Sequence, residues 1–353
     1  MHDPLSSVEV IAPNFKRKLS GVTSTIIQLV PLQRAQGLKI VTMGPGLPPD
    51  LPNIGWSSLP GLWSRPQNRP FRIWHARRNV EMVAGILMRH VLRMKLGLLF
   101  TSAAQRDHRP FTKWLIRRMN AVIATSGKSG SFLEVPHKVI MHGVDTERFH
   151  PPKGDEDKFA ASGLPGRYLV GCSGRIRPSK GTDLFVDAMI NLLPLYPDWT
   201  AVMTGRTTAE FKGFEQTLRD RITQAGLEDR ILFLGEVPDV RPWYRRMTLY
   251  VAPSRNEGFG LTPLEAMASQ TAVVASDAGA YAEMVEPETG TVVPTGDGRA
   301  LEQAIAPYLA DPAMCEEAGR RGLAHVRENF PLQKEAGRIR EVYEQLFAAG
   351  PKP

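Results

Sequence analysis

The sequence predicts an α/β protein of two domains, each an open parallel sheet with helices on its faces. Three observations predict it. Short apolar runs alternate with longer amphipathic segments along the chain, the pattern of repeated strand–helix units. At 353 residues the chain exceeds one ordinary core and suits two. A Pro-, Gly- and charge-rich stretch without apolar periodicity, 151–166, separates halves of opposite charge. Residues 1–150 hold 21 Lys and Arg against 8 Asp and Glu, a balance of +13, and the remainder holds 23 against 28, a balance of −5.

That asymmetry points to an anionic partner for the first half: nucleic acid, an anionic membrane surface or a phosphorylated lipid. The 42% hydrophobic content is that of a globular protein. Cys172 and Cys315 stand far apart and in no metal-like spacing, which argues against a disulfide framework and fits a reducing compartment. The N-terminus MHDPLSSVEV carries an early acid and no apolar h-region, so no signal peptide is expected. No apolar run approaches the roughly 18 residues of a membrane span.

In the first half, strands are expected at 8–12, 38–43, 71–74, 96–100, 121–125 and 138–141. A loop at 14–21 carries Lys16, Arg17, Lys18 and the pair Ser20-Gly21, then feeds a helix over 22–36. The connection 44–70 is Pro-rich and aperiodic, with Trp56 and Trp63 in it. His75 follows the third strand, at a position that faces a ligand in such sheets or is simply hydrogen-bonded at the surface. Apolar residues at 80, 83, 84, 87, 88 and 91 predict a helix over 79–94. Basic residues at 106, 109, 113, 117 and 118 surround Phe111, Trp114 and Leu115, as on a helix lying on anionic lipid or on an ordinary amphipathic helix with a basic outer face.

In the second half, strands are expected at 168–173, 199–204, 230–234, 249–252, 271–275 and 290–293. After the first comes Gly174-Arg175-Ile176-Arg177-Pro178-Ser179-Lys180-Gly181, then a helix. After the fourth comes a glycine loop, 254–260, in which Gly258 and Gly260 flank Phe259. Thr262 reads as an N-cap, with Pro263 at the first helical position and Glu265 three residues after the cap, as in a capping box. Backbone amides of a glycine loop thus converge on a helix N-terminus beyond a strand end, an arrangement that binds phosphate.

The string E-G-F-G-L-T-P-L-E-A-M-A at 257–268 resembles the E-x7-E signature of retaining glycosyltransferases with the GT-B fold, which use nucleotide-diphosphate sugars. The resemblance implies two Rossmann-like domains facing each other across a cleft: an acceptor domain, 1–150, with a C-terminal helix, 331–353, crossing back onto it, and a nucleotide-sugar domain, 151–330. G-R-I-R-P-S-K-G at 174–181 is similar to the family's segment whose Arg and Lys, here Arg175 and Lys180, reach the donor diphosphate. A leaving nucleoside diphosphate needs such cations and amides around its developing charge. The resemblance further implies that Glu257 takes sugar hydroxyls, that Gly258, Phe259, Gly260 and Leu261 give amides, aided by the helix dipole at Thr262, and that Glu265 holds the ribose. Gly21 corresponds to the glycine-bearing loop facing the diphosphate, and His75 to a histidine near the donor sugar and acceptor. His142 stands where the family commonly has Asn before Gly-Val-Asp. The departing phosphate oxygen itself helps deprotonate the acceptor, so no protein base is implied, and charge neutralisation by Arg175, Lys180 and amides implies no metal and no cofactor beyond the donor.

W-H-A-R-R-N at 74–79 and F-T-S-A-A-Q-R-D-H-R-P-F-T-K-W at 100–114 are similar to lipopolysaccharide core mannosyltransferases. This implies GDP-mannose as donor, a Kdo-bearing lipid A precursor as acceptor, and a cytoplasmic enzyme peripheral on the inner face of the cytoplasmic membrane. The E-x7-E motif does not select mannose, and UDP-hexoses remain open. Among other classes, a nicotinamide oxidoreductase fits poorly: the one near match to its fingerprint, 44–49, follows the second strand, and its prolines cannot donate amides. A nucleotide-sugar epimerase shares the scaffold. A nucleic-acid-binding protein would suit the basic half, but no RNP-type or zinc-finger motif is present, and no nucleic-acid partner is expected.

Overall fold

The computed structural model describes residues 5–17 and 21–350; Lys18 and Ser20, in the loop singled out above, lie outside them. The chain divides into two compact units, Met1–Met141 with Leu332–Pro353, and His142–Pro331.

The first unit is a parallel sheet of β1 (Val10–Pro13), β2 (Ile40–Met43), β3 (Asn53–Ile54), β4 (Arg72–Ala76), β5 (Leu96–Ser102), β6 (Ala121–Ala124) and β7 (Lys138–Val139), in the order β3-β2-β1-β4-β5-β6-β7. The central strands β1, β2 and β4 are buried along their whole length, so they show no alternation of apolar and polar residues. One face packs on the helix Gly21–Ala35 and the C-terminal helix Leu332–Ala349 through Ile26, Leu29, Ile339, Tyr343 and Phe347. Arg69 clamps that last helix with a two-pronged contact to Glu344 at 2.7 and 2.8 Å, its guanidinium 4.4 Å from the Phe347 ring. The other face packs on the helices Asn79–Ile86 and Pro110–Ile116 through Met82, Ile86, Leu115 and Ile116.

The second unit is a parallel sheet of β8 (Tyr168–Ser173), β9 (Trp199–Thr204), β10 (Ile231–Gly235), β11 (Leu249–Ala252), β12 (Ala272–Ser276) and β13 (Gly290–Val293), in the order β10-β9-β8-β11-β12-β13. In both sheets the order reverses at the first strand. β1 lies between β2 and β4, and β8 between β9 and β11. The chain leaves the two central strands in opposite directions, which opens a crevice at their C-terminal ends.

The structure departs from the sequence reading at several elements. The connection 44–70 is not featureless: β3 pairs with β2 in it, and Trp56–Trp63 forms a 3₁₀ helix whose Leu62 is buried. The stretch 151–166 carries Asp157, buried and ion-paired with Arg245, so it is packed rather than a free linker. The helix over 79–94 is regular only to Ile86 and then widens into a π turn, Leu87–Val91.

Gly181 is where backbone geometry is most constrained. Its φ is +68°, and a Cβ there would fall inside the Pro253 carbonyl oxygen. Gly213, in the helix Lys212–Gln224, has nothing within 4 Å of such a Cβ. Gly181→Ala is therefore expected to lower the urea midpoint, by an amount corresponding to more than about 1 kcal/mol, whereas Gly213→Ala raises it slightly.

Candidate functional site

The loops that follow β8 and β11 flank the crevice of the second sheet, and they are joined to each other. Arg255 and Asn256 donate backbone amides to the Ser179 carbonyl at 3.0 and 3.1 Å. The Arg255 guanidinium meets Asp183 with two bonds, 2.7 and 2.8 Å, and also reaches the Pro178 carbonyl. Gly181 against Pro253 completes the seam. Lys180 and Glu257 are thereby held opposite each other, and the Lys180 ammonium pairs with Glu257 Oε1. The same oxygen accepts from Ser254 Oγ and Tyr281 Oη, each at 3.2 Å. Burial and the Glu257 charge push the Tyr281 phenol well above its usual range, so it stays a donor. Gly260, at φ +85°, passes so close to the Tyr281 ring that a side chain there would collide with it.

Arg175 stands exposed on the same loop as Lys180. Phe259 is buried, its ring edge-on to His142 at 4.8 Å between centroids. Thr262 does not cap its helix. The cap position is Leu261, Thr262 is the first helical residue, and its hydroxyl lies 3.4 Å from Tyr281 Oη. The capping-box reading of Glu265 fails with it. Glu265 instead accepts a 2.9 Å bond from Tyr244 Oη, and burial pushes its carboxyl up to about 7. The first-turn amides of that helix have no intrahelical acceptor, as at any helix start. Sequence reasoning missed Tyr244, Tyr281 and the Arg255–Asp183 bond, because their partners lie on elements distant in sequence and form no linear motif, and it passed over Ser254, which lies in the glycine loop itself three residues before Glu257.

Two expected site residues belong to the first unit. Gly21 opens its helix and is exposed, with nothing within 4 Å of a Cβ position. His75 requires correction. β4 continues to Ala76, so His75 is inside the strand and fully buried rather than at a strand end. Its Nδ1 lies 2.7 Å from Tyr343 Oη and its Nε2 2.7 Å from Thr101 Oγ1. Burial, reinforced by the Arg77 charge, drives its pKa well below 6.5. It is a neutral imidazole with both nitrogens engaged, linking β4, β5 and the C-terminal helix.

The crevice of the first sheet holds a different device. Buried Asn14, just past β1, donates to the carbonyls of Lys16 and Pro45 at 2.9 and 2.7 Å. It accepts from Arg78 Nη1 at 2.9 Å and from Thr23 Oγ1 at 3.2 Å. Arg78 also bonds buried Glu81 at 2.7 Å, and the other Glu81 oxygen accepts the Arg77 amide at 2.7 Å. This network fastens the loop that carries exposed Lys16 and Arg17.

The raised Glu265 carboxyl has a consequence for stability. Between about pH 4.5 and 7 the unfolded chain has lost this proton and the native one keeps it, so stability falls as pH rises through that window. Glu265→Gln removes the penalty. Its melting temperature is expected near wild type at pH 5 and about 3 °C or more above it at pH 8. Equal differences at both pH values would contradict the buried-carboxyl account.

A family model for glycosyl transferases group 1 matches residues 154–325. The chain is 66% identical, over 97% of its length and 98% of the relative, to a lipopolysaccharide core biosynthesis mannosyltransferase of Rhizobium leguminosarum bv. viciae. It is 54% identical, over 97% of its length and 99% of the relative, to one of Rhizobium meliloti (strain 1021). Sucrose-phosphate synthase of Thermosynechococcus elongatus superposes with a TM-score of 0.80 at 21% identity, over 98% of this chain and all of that one, which places the two sheets in the GT-B fold. The chain belongs to the family of lipopolysaccharide core biosynthesis mannosyltransferases, within the group 1 glycosyltransferases.

Proposed function

We propose that this chain transfers mannose from GDP-mannose, with retention of anomeric configuration, to a Kdo-bearing lipid A-type acceptor of the lipopolysaccharide inner core. The observation that carries the reading is the Lys180–Glu257 pair at the strand-order reversal of the second sheet. The donor is held by the unit His142–Pro331. Arg175 and Lys180 neutralise the diphosphate, and amides of Gly258, Phe259, Gly260, Leu261 and Thr262 supply further donors. Glu257 accepts from the mannose hydroxyls and Glu265 from the ribose.

In the reaction the bond from the anomeric carbon to the β-phosphate oxygen breaks. The acceptor oxygen bonds to that carbon on the same face, and its proton passes to the departing phosphate oxygen. The protein therefore supplies charge stabilisation and orientation, and no side chain has to act as base. Lys180 and Glu257 neutralise each other, which spares both from facing a partly dry site unpaired. Donor binding exchanges that pairing: diphosphate takes the ammonium, and sugar hydroxyls take the carboxylate.

The acceptor is taken by the basic first unit, with the exposed Lys16 and Arg17 near its phosphates and carboxylates. Such an enzyme works in the cytoplasm, peripheral to the anionic inner face of the cytoplasmic membrane. No described helix is long and apolar enough to cross a membrane.

The exchange makes a prediction that simple loss of a contact does not. Glu257→Gln is expected to reduce transfer by at least about 10²-fold and to bind free GDP several-fold more tightly, because Lys180 is released for the diphosphate. Titration calorimetry and a transfer assay check both. Transfer near the wild-type rate in a folded variant would overturn the assignment, and weaker GDP binding would overturn the exchange.

A further inference from the structure

The first unit exposes apolar side chains on neighbouring elements that no part of the donor chemistry uses. The helix Asn79–Ile86 widens at Leu87–Val91, where the Leu92 amide reaches back five residues to the Leu87 carbonyl at 3.0 Å. Such widenings recur at functional positions. Here Met88 and Met94 turn into the core, while Leu87, Val91 and Leu92 face outward, Val91 at 67% exposure. Arg93, at φ +54°, stops the helix there. The helix Pro110–Ile116 lies beside it, tied by a 2.7 Å bond from Asn79 Nδ2 to Thr112 Oγ1. It buries Leu115 and Ile116 in the same core and leaves Phe111 and Trp114 outside, their rings stacked at 6.0 Å. The Arg118 guanidinium covers the Trp114 ring at 3.7 Å. Trp63, half exposed, joins the rim by donating to the Leu92 carbonyl at 2.7 Å.

Exposed apolar side chains on neighbouring elements of one face mark an interaction surface. The surrounding charge selects the occupant. Residues 89–118 contain eight Lys and Arg and one acid, Asp107. Glu134 takes up Lys113 and Arg117, while Arg93, Lys95, Arg106, Arg109 and Arg118 are exposed around the apolar residues. A protein partner of ordinary surface has no need of so one-sided a rim. An anionic bilayer does: headgroups meet the cations, and aliphatic and indole side chains enter the interfacial layer.

We propose that Leu87, Val91, Leu92, Phe111 and Trp114 form a shallow insertion face, rimmed by these arginines and Lys95, that docks the enzyme on an anionic lipid surface. The inference rests on the reading of the acceptor as a membrane-borne glycolipid and assigns the surface that would deliver the enzyme to it. Two adjacent elements enter together, so attachment is interfacial and reversible.

The test uses the full-length enzyme and the variant Val91→Ser/Leu92→Ser/Phe111→Ser/Trp114→Ser, with flotation on vesicles of phosphatidylcholine alone or with about one third phosphatidylglycerol. Wild type is expected to float with the anionic vesicles and at least tenfold less with neutral ones. The variant is expected to lose at least tenfold in anionic binding, with an unchanged melting temperature and unchanged transfer to a soluble Kdo-bearing oligosaccharide. Arg93→Gln/Lys95→Gln/Arg118→Gln is expected to weaken the binding that remains sensitive to salt. Undiminished flotation of the serine variant would overturn the proposal. So would a wild-type dimer in sedimentation that the serine variant converts to monomer without altered flotation, since a second copy would then cover the face. Failure of the sugar-transfer reading would appear separately, as absent transfer to the soluble acceptor with vesicle binding intact.

Discussion

Gly181 lies against the Pro253 carbonyl with no room for a side chain, and much of the second unit depends on that approach. Gly181 ends the loop after β8 and Pro253 opens the loop after β11, strands that are neighbours in the sheet and 75 or more residues apart in sequence. Parallel pairing with the order reversing at β8 brings the loops to one crevice, and the glycine lets them touch. Arg255 then bridges to Asp183 and the Pro178 carbonyl, and the carboxylate of Glu257 finds the ammonium of Lys180. The charge pair is a consequence of a backbone contact, so its geometry is set before any ligand arrives. Preorganisation of that kind is what lets a site stabilise developing charge without rearranging at the moment of reaction.

The first unit solves the same topological problem by other means. At its reversal point, between β1 and β4, a polar network of Asn14, Thr23, Arg78 and Glu81 holds the loop, with its buried Asn and Glu oxygens accepting donors from loop and helix. A buried carboxylate and guanidinium are tolerable because they pair and are hydrogen-bonded besides. The two reversal points thus differ in chemistry. One leaves a cation and a carboxylate that a ligand can separate; the other ties its charged groups into the fold and leaves exposed basic residues on the loop above. On the function proposed above, the first would serve the donor and the second the anionic acceptor.

Much of this was legible in the sequence, and what was not has physical causes. The alternation of apolar runs and amphipathic segments gave the two parallel sheets because strands buried on both faces have no other appearance. Arg175, Lys180 and Glu257 were visible because each loop is a contiguous segment with glycines at fixed places. Tyr281 and Tyr244 were not, since only the tertiary structure carries them to Glu257 and Glu265. Thr262 looked like a cap by composition, yet Leu261 takes that position and leaves Glu265 to Tyr244. His75 looked like a strand-end residue because the apolar run stops at Trp74, whereas the ladder continues through Ala76 and the C-terminal helix, 268 residues away, supplies the hydroxyl that lets an imidazole be buried. The outward turn of Val91 and Leu92 was also hidden, since a widened helix breaks the periodicity from which facing is read.

The most direct test of the account is the donor and stereochemistry of transfer. The enzyme would be incubated with GDP-mannose, UDP-glucose, UDP-galactose or UDP-N-acetylglucosamine and a Kdo-bearing lipid A precursor, and the product's anomeric configuration read by NMR. Transfer from GDP-mannose alone, giving an α-mannoside, is the predicted result. Transfer from a UDP-hexose in preference to GDP-mannose, or a β-linked product, would contradict it.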